Sequence, residues 1–391
     1  MKNLFQGFVL IYGPPGSGKT SLALYAASQI GQRILYIGFY ETENKVKLKI
    51  SSLGLDPSRY IVLDYVSISD TDILFSNVVE KFYEYSPDVV ILDGINALPQ
   101  SREAASLLYR VFQTPTIAIG EEHLGASHFA YVADTLLEVG QFFHREARYR
   151  KIRVIKTRLT PPQGTELYFT ITNRGVRIIE RWSKSKLANK TVASPSGRRV
   201  VLSSDLIRSL AKIRGEIKRP GLVAGSRVAA FICNEPTCQR LSAAYLCDYL
   251  ETTKVAVFSI YPYIGYVAKQ MGCEVEEVVM PASKLGEDYV LEESLSKVGE
   301  ASVVSVYGLE EVYYTYGPER VAYILDYIHS ALPESALLAT FMGMEPVVEL
   351  LTLFNTVWRY LPDRAEIVQS AYGWPVRYLK IREEEGVFYL S

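Results

Sequence analysis

Residues Gly13 to Thr20 read Gly-Pro-Pro-Gly-Ser-Gly-Lys-Thr, a string that dictates what must surround it. Its glycines let backbone N–H groups turn inward onto phosphate oxygens, where a Cβ would obstruct them. Such a loop works only between a buried strand and the start of a helix. Both are legible. Phe8 to Tyr12 is an apolar, β-rich run suited to a parallel strand buried on both faces. Ser21 to Ile30 has a helical pattern that stops at Gly31. The expected ligand is a nucleoside triphosphate, ATP, with Mg²⁺. Gly13, Pro14, Pro15, Gly16, Ser17, Gly18, Lys19, Thr20 and Ser21 are the binding residues. Lys19 is expected on the β- and γ-phosphates and the Thr20 hydroxyl on the metal.

Further strand ends carry acids. Val89 to Asp93 is four apolar residues closing on a carboxylate, which suits a second Mg²⁺ partner beside the loop. The strand Ile34 to Phe39 runs into Tyr40-Glu41-Thr42-Glu43. Glu41 is the candidate catalytic base that orients the attacking water, and Glu43 the alternative. Gly120-Glu121-Glu122-His123 ends another apolar run, and Glu121 or His123 is a weaker candidate for sensing the terminal phosphate.

In this order and spacing the three elements resemble the RecA-like ATPases, and among them the KaiC-like branch. Phe39-Tyr40-Glu41 is similar to that family's Phe-Glu-Glu turn with one acid replaced. Ala133-Asp134 and the strand after it, the Lys156-Thr157-Arg158 pair, and the closing hairpin over 169–178 complete the resemblance, which covers residues 6 to about 182. It implies that Lys156 and Arg158 act catalytically on the nucleotide of an adjacent subunit, and therefore that the protein is a homo-oligomer.

The frame then returns with its chemistry gone. Phe231-Ile232-Cys233 stands where the first strand ended, Gln239 and Arg240 where Lys19 and Thr20 stood, Tyr307 where Asp93 stood, and Tyr261 where Glu41 stood. Asp134-Thr135 falls on Asn355-Thr356, and Lys156-x-Arg158 on Lys380-Ile381-Arg382. Repeated order with drifting offset is the mark of duplication. The expected fold class is α/β. Two tandem RecA-like domains have mostly parallel central sheets, the first with the phosphate loop and the second without. The expected division is an ATPase domain over 1–182, a basic linker over 183–222 and a degenerate domain over 223–391.

The linker region from Ser183 to Pro220 holds ten Lys or Arg against two acids, an excess that makes it a candidate contact for nucleic acid, while Asp205 to Ile217 has the pattern of a short basic helix. The whole chain carries a net charge of −1, which excludes a general attraction to polyanions. The second domain is a candidate surface for a protein partner. Its clustered tyrosines, Tyr261, Tyr263, Tyr266, Tyr313, Tyr314 and Tyr316, read as core or interface residues rather than base-stacking ones. No apolar run approaches the ~18 residues of a membrane span, so the chain is expected to be cytoplasmic and without a membrane partner. All four cysteines, Cys233, Cys238, Cys247 and Cys273, lie in the second half, and their spacing suits buried free thiols better than a zinc site. Three functions remain open: a slow KaiC-like ATPase with a regulatory or assembly role, a recombinase-like accessory on single-stranded DNA, and an ATP-gated adaptor that does not hydrolyse.

Overall fold

The computed structural model describes residues 2–65, 71–145, 147–159, 166–182, 191–202, 222–370, 378–385 and 387–391. The chain divides into two compact units, residues 1–143 with 148–179, and residues 144–147 with 180–391. Among the described residues no helix is long and apolar enough to cross a membrane.

The first unit is built on a nine-stranded sheet. In chain order its strands are β1 (Phe8–Tyr12), β2 (Ile34–Gly38), β3 (Tyr60–Asp64), β4 (Val89–Asp93), β5 (Thr116–Gly120), β6 (Thr135–His144), β7 (Ala147–Thr157), β8 (Glu166–Thr172) and β9 (Gly175–Ile179). Across the sheet they lie in the order β3-β2-β4-β5-β1-β6-β7-β8-β9. The strands from β3 to β6 run parallel, and β8 pairs antiparallel with β7 and β9. Parallel strands need helices on both faces, so successive residues must serve opposite cores. They do. Val9, Ile11, Ile34, Tyr36, Val89, Ile91, Ile117 and Ile119 enter one apolar cluster. Phe8, Leu10, Leu35, Ile37, Val90, Leu92 and Ala118 enter the other. Helix α1 (Lys19–Ile30) lays Leu22, Ala23, Ala26 and Ala27 on the first cluster. Each fully buried Val, Leu or Ile side chain in these clusters contributes roughly 1.5–3 kcal/mol.

The second unit has a ten-stranded sheet and a small two-stranded one. In chain order come β10 (Thr191–Ala193), β11 (Val200–Leu202), β12 (Leu222–Val223), β13 (Arg227–Ile232), β14 (Val255–Ser259), β15 (Glu277–Val279), β16 (Val303–Tyr307), β17 (Ala336–Met342), β18 (Thr356–Tyr360), β19 (Arg364–Ser370), β20 (Tyr378–Glu384) and β21 (Val387–Leu390). Read from β15, the large sheet runs β15-β14-β16-β17-β13-β18-β19-β20-β21 and ends on β11. Position for position this is the strand order of the first unit. One side-chain detail also recurs. Asp134 Oδ2 accepts from the N–H of Phe8 at 2.9 Å, and Asn355 Oδ1 accepts from the N–H of Arg227, the corresponding strand start, at 2.6 Å. Asp134 and Asn355 are equivalent, as the sequence indicated, and both fasten a neighbouring strand.

Three expectations need correction. Lys380 and Arg382 lie on β20, whose place in the sheet is that of β8, so they do not match Lys156 and Arg158 on and after β7. Tyr261 corresponds to Tyr40 rather than Glu41. The N–H of Phe39 bonds the carbonyl of Asp93 and the N–H of Ile260 bonds that of Tyr307, which fixes the register one residue away from a gapless alignment. The cysteines are not free thiols. Cys233 pairs with Cys238 and Cys247 with Cys273, at Cα separations of 5.6 and 5.9 Å. The helix Pro236–Leu250 carries one member of each pair and brings it to its partner, a proximity that sequence spacing does not encode.

Of the segment read as a linker, residues 191–202 carry β10 and β11 of the second unit and Leu222 opens β12; residues 183–190 and 203–221, including the expected helix over 205–217, lie outside the described residues. Asp248, fully buried, binds this segment by accepting from Ser196 Oγ and from the N–H groups of Arg199 and Val200. Arg198 and Arg199 both pair with Glu251. Trp182 is anchored to the same unit: its Nε1 donates to Gly225 O and its ring faces the buried Arg227 guanidinium at 4.9 Å, which is itself paired with Asp326 at 2.8 Å.

Candidate functional site

Between β1 and α1 the chain reverses through residues 13–18. Gly13, Gly16 and Gly18 all have positive φ, at 147°, 76° and 98°. At Gly13 the reason is also contact, since a Cβ there would meet Val139 O at 2.0 Å. At Gly16 the nearest atom to such a Cβ is Gln141 Nε2 at 3.6 Å, so the position needs glycine for its φ and leaves an open face. The first N–H of α1 to bond within the helix is that of Leu22, to Gly18 O. The preceding amides of Lys19, Thr20 and Ser21 therefore present positive partial charge at the loop. Ser17 is fully buried and its hydroxyl has no hydrogen-bond partner among the described residues. A buried hydroxyl without a partner is costly, and an anionic, oxygen-rich ligand seated in this loop would satisfy it.

Lys19 folds back over the loop. Its Nζ donates to Gly13 O at 2.7 Å and Pro14 O at 2.8 Å. Burial lowers its pKa, and the nearby carboxylates of Asp93, Glu121 and Glu122 oppose that shift. Asp93, at the end of β4, receives two hydroxyls on one oxygen: Thr20 Oγ1 and Tyr36 Oη each donate to Oδ2 at 2.7 Å. Burial pushes the Asp93 carboxyl up, while the two hydrogen bonds pull it down. Burial and the Asp93 charge hold the Tyr36 phenol far above its ordinary value, so it stays a hydrogen-bond donor.

Glu41 follows β2 and is gripped from α2 (Glu43–Ser52), where Lys49 Nζ reaches its two oxygens at 2.9 and 2.8 Å. Glu43 pairs instead with Lys47 at 2.5 Å on the same helix. Glu121 and His123 face each other at 3.8 Å beyond β5.

The structure thus brings Thr20 to Asp93 next to Lys19, while Glu41 is held by Lys49 and the charges of both act on Asp93. It does not bring Lys156 and Arg158 to them. Lys156 Nζ donates to the carbonyls of Ala130 and Tyr131 at 3.0 and 2.8 Å, and Arg158 Nη2 to that of Tyr131 at 3.0 Å. Both cap the C-terminus of the helix His128–Val132, where exposed carbonyls favour cations. The N–H of Arg158 bonds Asp134 O, beside the start of β1, so the pair sits at the opposite end of the sheet from the loop.

Sequence reasoning missed Tyr36, Lys49 and Asn96, whose Nδ2 donates to Tyr40 Oη at 2.7 Å. Tyr36 left a signal: a tyrosine inside a wholly buried apolar strand needs a partner for its hydroxyl. Lys49 and Asn96 left none.

In the second unit the same strand ends are occupied by protein side chains. Gln239 donates to Asn234 O at 3.0 Å and accepts from Tyr263 Oη. Tyr307, in the place of Asp93, is buried. Glu310 accepts from Tyr261 Oη and from the Met342 N–H. Arg240 pairs with Glu383. Of the clustered tyrosines, Tyr316 is buried, whereas Tyr266 and Tyr314 are exposed.

A phosphate loop between β1 and α1, with an aspartate closing a neighbouring parallel strand, defines the first unit as a P-loop ATPase domain of the RecA type. Residues 5–183 match the family model of the KaiC ATPase, and this half of the chain is KaiC-like. No curated protein matches the chain.

Proposed function

We propose that the first unit binds ATP with Mg²⁺ and hydrolyses it slowly, in an oligomer that serves a regulatory or assembly role. The observation that carries this reading is the Thr20–Asp93 hydrogen bond beside Lys19. The loop amides, Lys19 and the Ser17 hydroxyl would hold the phosphates. Thr20 and Asp93 would hold the metal, Asp93 through water. Held there, Mg²⁺ would supply positive charge against the negative charge of the transferring phosphate. Among the described residues no group of three or more His, Cys, Asp or Glu is placed to hold a metal ion by itself. Two protein oxygens, completed by phosphate and water, suit Mg²⁺ better than a full protein cage.

Glu41, fixed by Lys49, would orient the attacking water as a hydrogen-bond acceptor. Lys156 and Arg158 would serve a neighbour's nucleotide, because within one chain they are far from the loop's end of the sheet. The test is calorimetric titration with ATP, with and without Mg²⁺, alongside phosphate release over a range of protein concentrations. Turnover that rises with concentration, and loses that rise in Arg158→Ala, supports the reading; turnover per chain that is constant in both proteins contradicts the role in trans.

An ATP-gated adaptor that does not hydrolyse is the second reading. It is favoured by the lysine clamped on both Glu41 oxygens. Tight ATP binding without phosphate release at any concentration would select it.

A further inference from the structure

Tyr40 is 59% exposed, yet it is held at two points beside the Thr20–Asp93 pair. Its ring lies on Gly94, the residue after Asp93. A Cβ on Gly94 would come within 2.6 Å of two ring carbons, so only glycine admits the ring there. Its hydroxyl accepts from Asn96 Nδ2 at 2.7 Å. An amide N–H that donates to a phenol leaves the phenol's own proton for another acceptor. The residue before it, Phe39, bonds the carbonyl of Asp93 through its N–H at 3.1 Å, so Tyr40 leaves its strand at the same end as the metal-side carboxylate.

The second unit supplies an internal control. Tyr261 lies on Gly308 in the same manner, with ring carbons 2.8 and 3.2 Å from where a Cβ would stand. The ring-on-glycine packing therefore belongs to the fold. The hydroxyl does not: Tyr261 donates its proton to the Glu310 carboxylate, in the unit that lacks the loop lysine, threonine and aspartate. Among the described residues the Tyr40 proton has no acceptor, whereas that of Tyr261 does, and an amide donor holds the Tyr40 oxygen in place.

We propose that Tyr40 is a substrate-contacting residue whose hydroxyl donates a hydrogen bond to the terminal phosphate of the bound nucleoside triphosphate, so that it distinguishes the triphosphate from the diphosphate. The proposal rests on the reading of the first unit as a nucleotide site. Gly94 and Asn96 are then positioning residues, the one by admitting the ring and the other by orienting the hydroxyl.

The experiment is calorimetric titration of the full chain, its Tyr40→Phe variant and its Lys19→Ala variant with ATP and with ADP, all with Mg²⁺. Tyr40→Phe keeps the ring on Gly94 and removes only the hydroxyl. A hydrogen bond to a charged oxygen is worth enough that ATP affinity should fall roughly tenfold or more, with ADP affinity unchanged, so the preference for ATP shrinks by the same factor. Lys19→Ala should weaken both nucleotides. An unchanged ATP/ADP ratio in Tyr40→Phe, or an equal loss for both nucleotides, would overturn the proposal while leaving the nucleotide site standing. Failure of the unmodified chain to bind either nucleotide would overturn the site and the proposal together.

Discussion

The Thr20 hydroxyl lies 2.7 Å from Asp93 Oδ2 across a sequence separation of 73 residues. Thr20 opens the helix that follows β1 and Asp93 closes β4, at one end of the parallel strands, which is the general location of ligands in open α/β sheets. Tyr36 holds the same carboxylate oxygen from a third strand. Asp93→Asn preserves this shape and removes the charge. Phosphate release should fall by about 10²–10³-fold, as for other losses of charge-stabilising groups, and the far-ultraviolet circular dichroism should not change. Retention of full turnover would remove Asp93 from the metal.

Glu41 and Lys49 form a pair that can be dissected kinetically. Glu41→Gln retains a hydrogen-bonding shape and loses the carboxylate. If Glu41 orients water, kcat should fall by about 10²-fold or more with little change in KM. Lys49→Met releases the carboxylate without removing it, and turnover should fall less than in Glu41→Gln. Equal kcat in Glu41→Gln and the parent would leave the acid a structural ion pair.

The two disulfides should contribute unequally. Cys247 and Cys273 are 26 residues apart, Cys233 and Cys238 only 5. Loop-closure entropy predicts about 3–4 kcal/mol for the longer loop and about 2 kcal/mol for the shorter. Thermal melts of the two Cys→Ser double variants check this. The Cys247/Cys273 variant should have the lower Tm, and a reductant should lower the parent's Tm while leaving a variant that lacks all four cysteines unaffected.

Asp88 predicts a pH dependence. The N–H groups of Arg33 and Gln32 donate to its Oδ2 at 2.8 and 3.0 Å, and these bonds, the first above all, hold its carboxyl below the ordinary 3.8. A depressed carboxylate stabilises the fold above its unfolded pKa, and that contribution is lost as pH falls through the lower folded value. Asp88→Asn should therefore lower Tm at neutral pH, and the difference from the parent should shrink as pH falls below the ordinary 3.8. A difference independent of pH would assign the effect to shape rather than charge.

Part of this was legible before any coordinates. The loop, its strand and its helix are dictated by adjacent residues, and Asp93 by an apolar run ending in an acid. The repeated sheet was visible through Asp134 and Asn355, because both discharge the same duty to a strand's first N–H. What escaped depends on contacts between elements. Lys49 reaches Glu41 only once α2 docks, and Asn96 reaches Tyr40 only once two strand ends converge. The one-residue slip that set Tyr261 against Glu41 arose because loops of different length join equivalent strands. Lys380 and Arg382 misled because a short basic pattern recurs on a neighbouring strand.

Phosphate release from ATP by the full chain, beside a Lys19→Ala control, tests the central claim most directly. The account predicts Mg²⁺-dependent turnover that is slow in the parent and abolished in the control, whose far-ultraviolet circular dichroism matches the parent's. Phosphate release that is equal in both proteins, or unaffected by removing Mg²⁺, would contradict it.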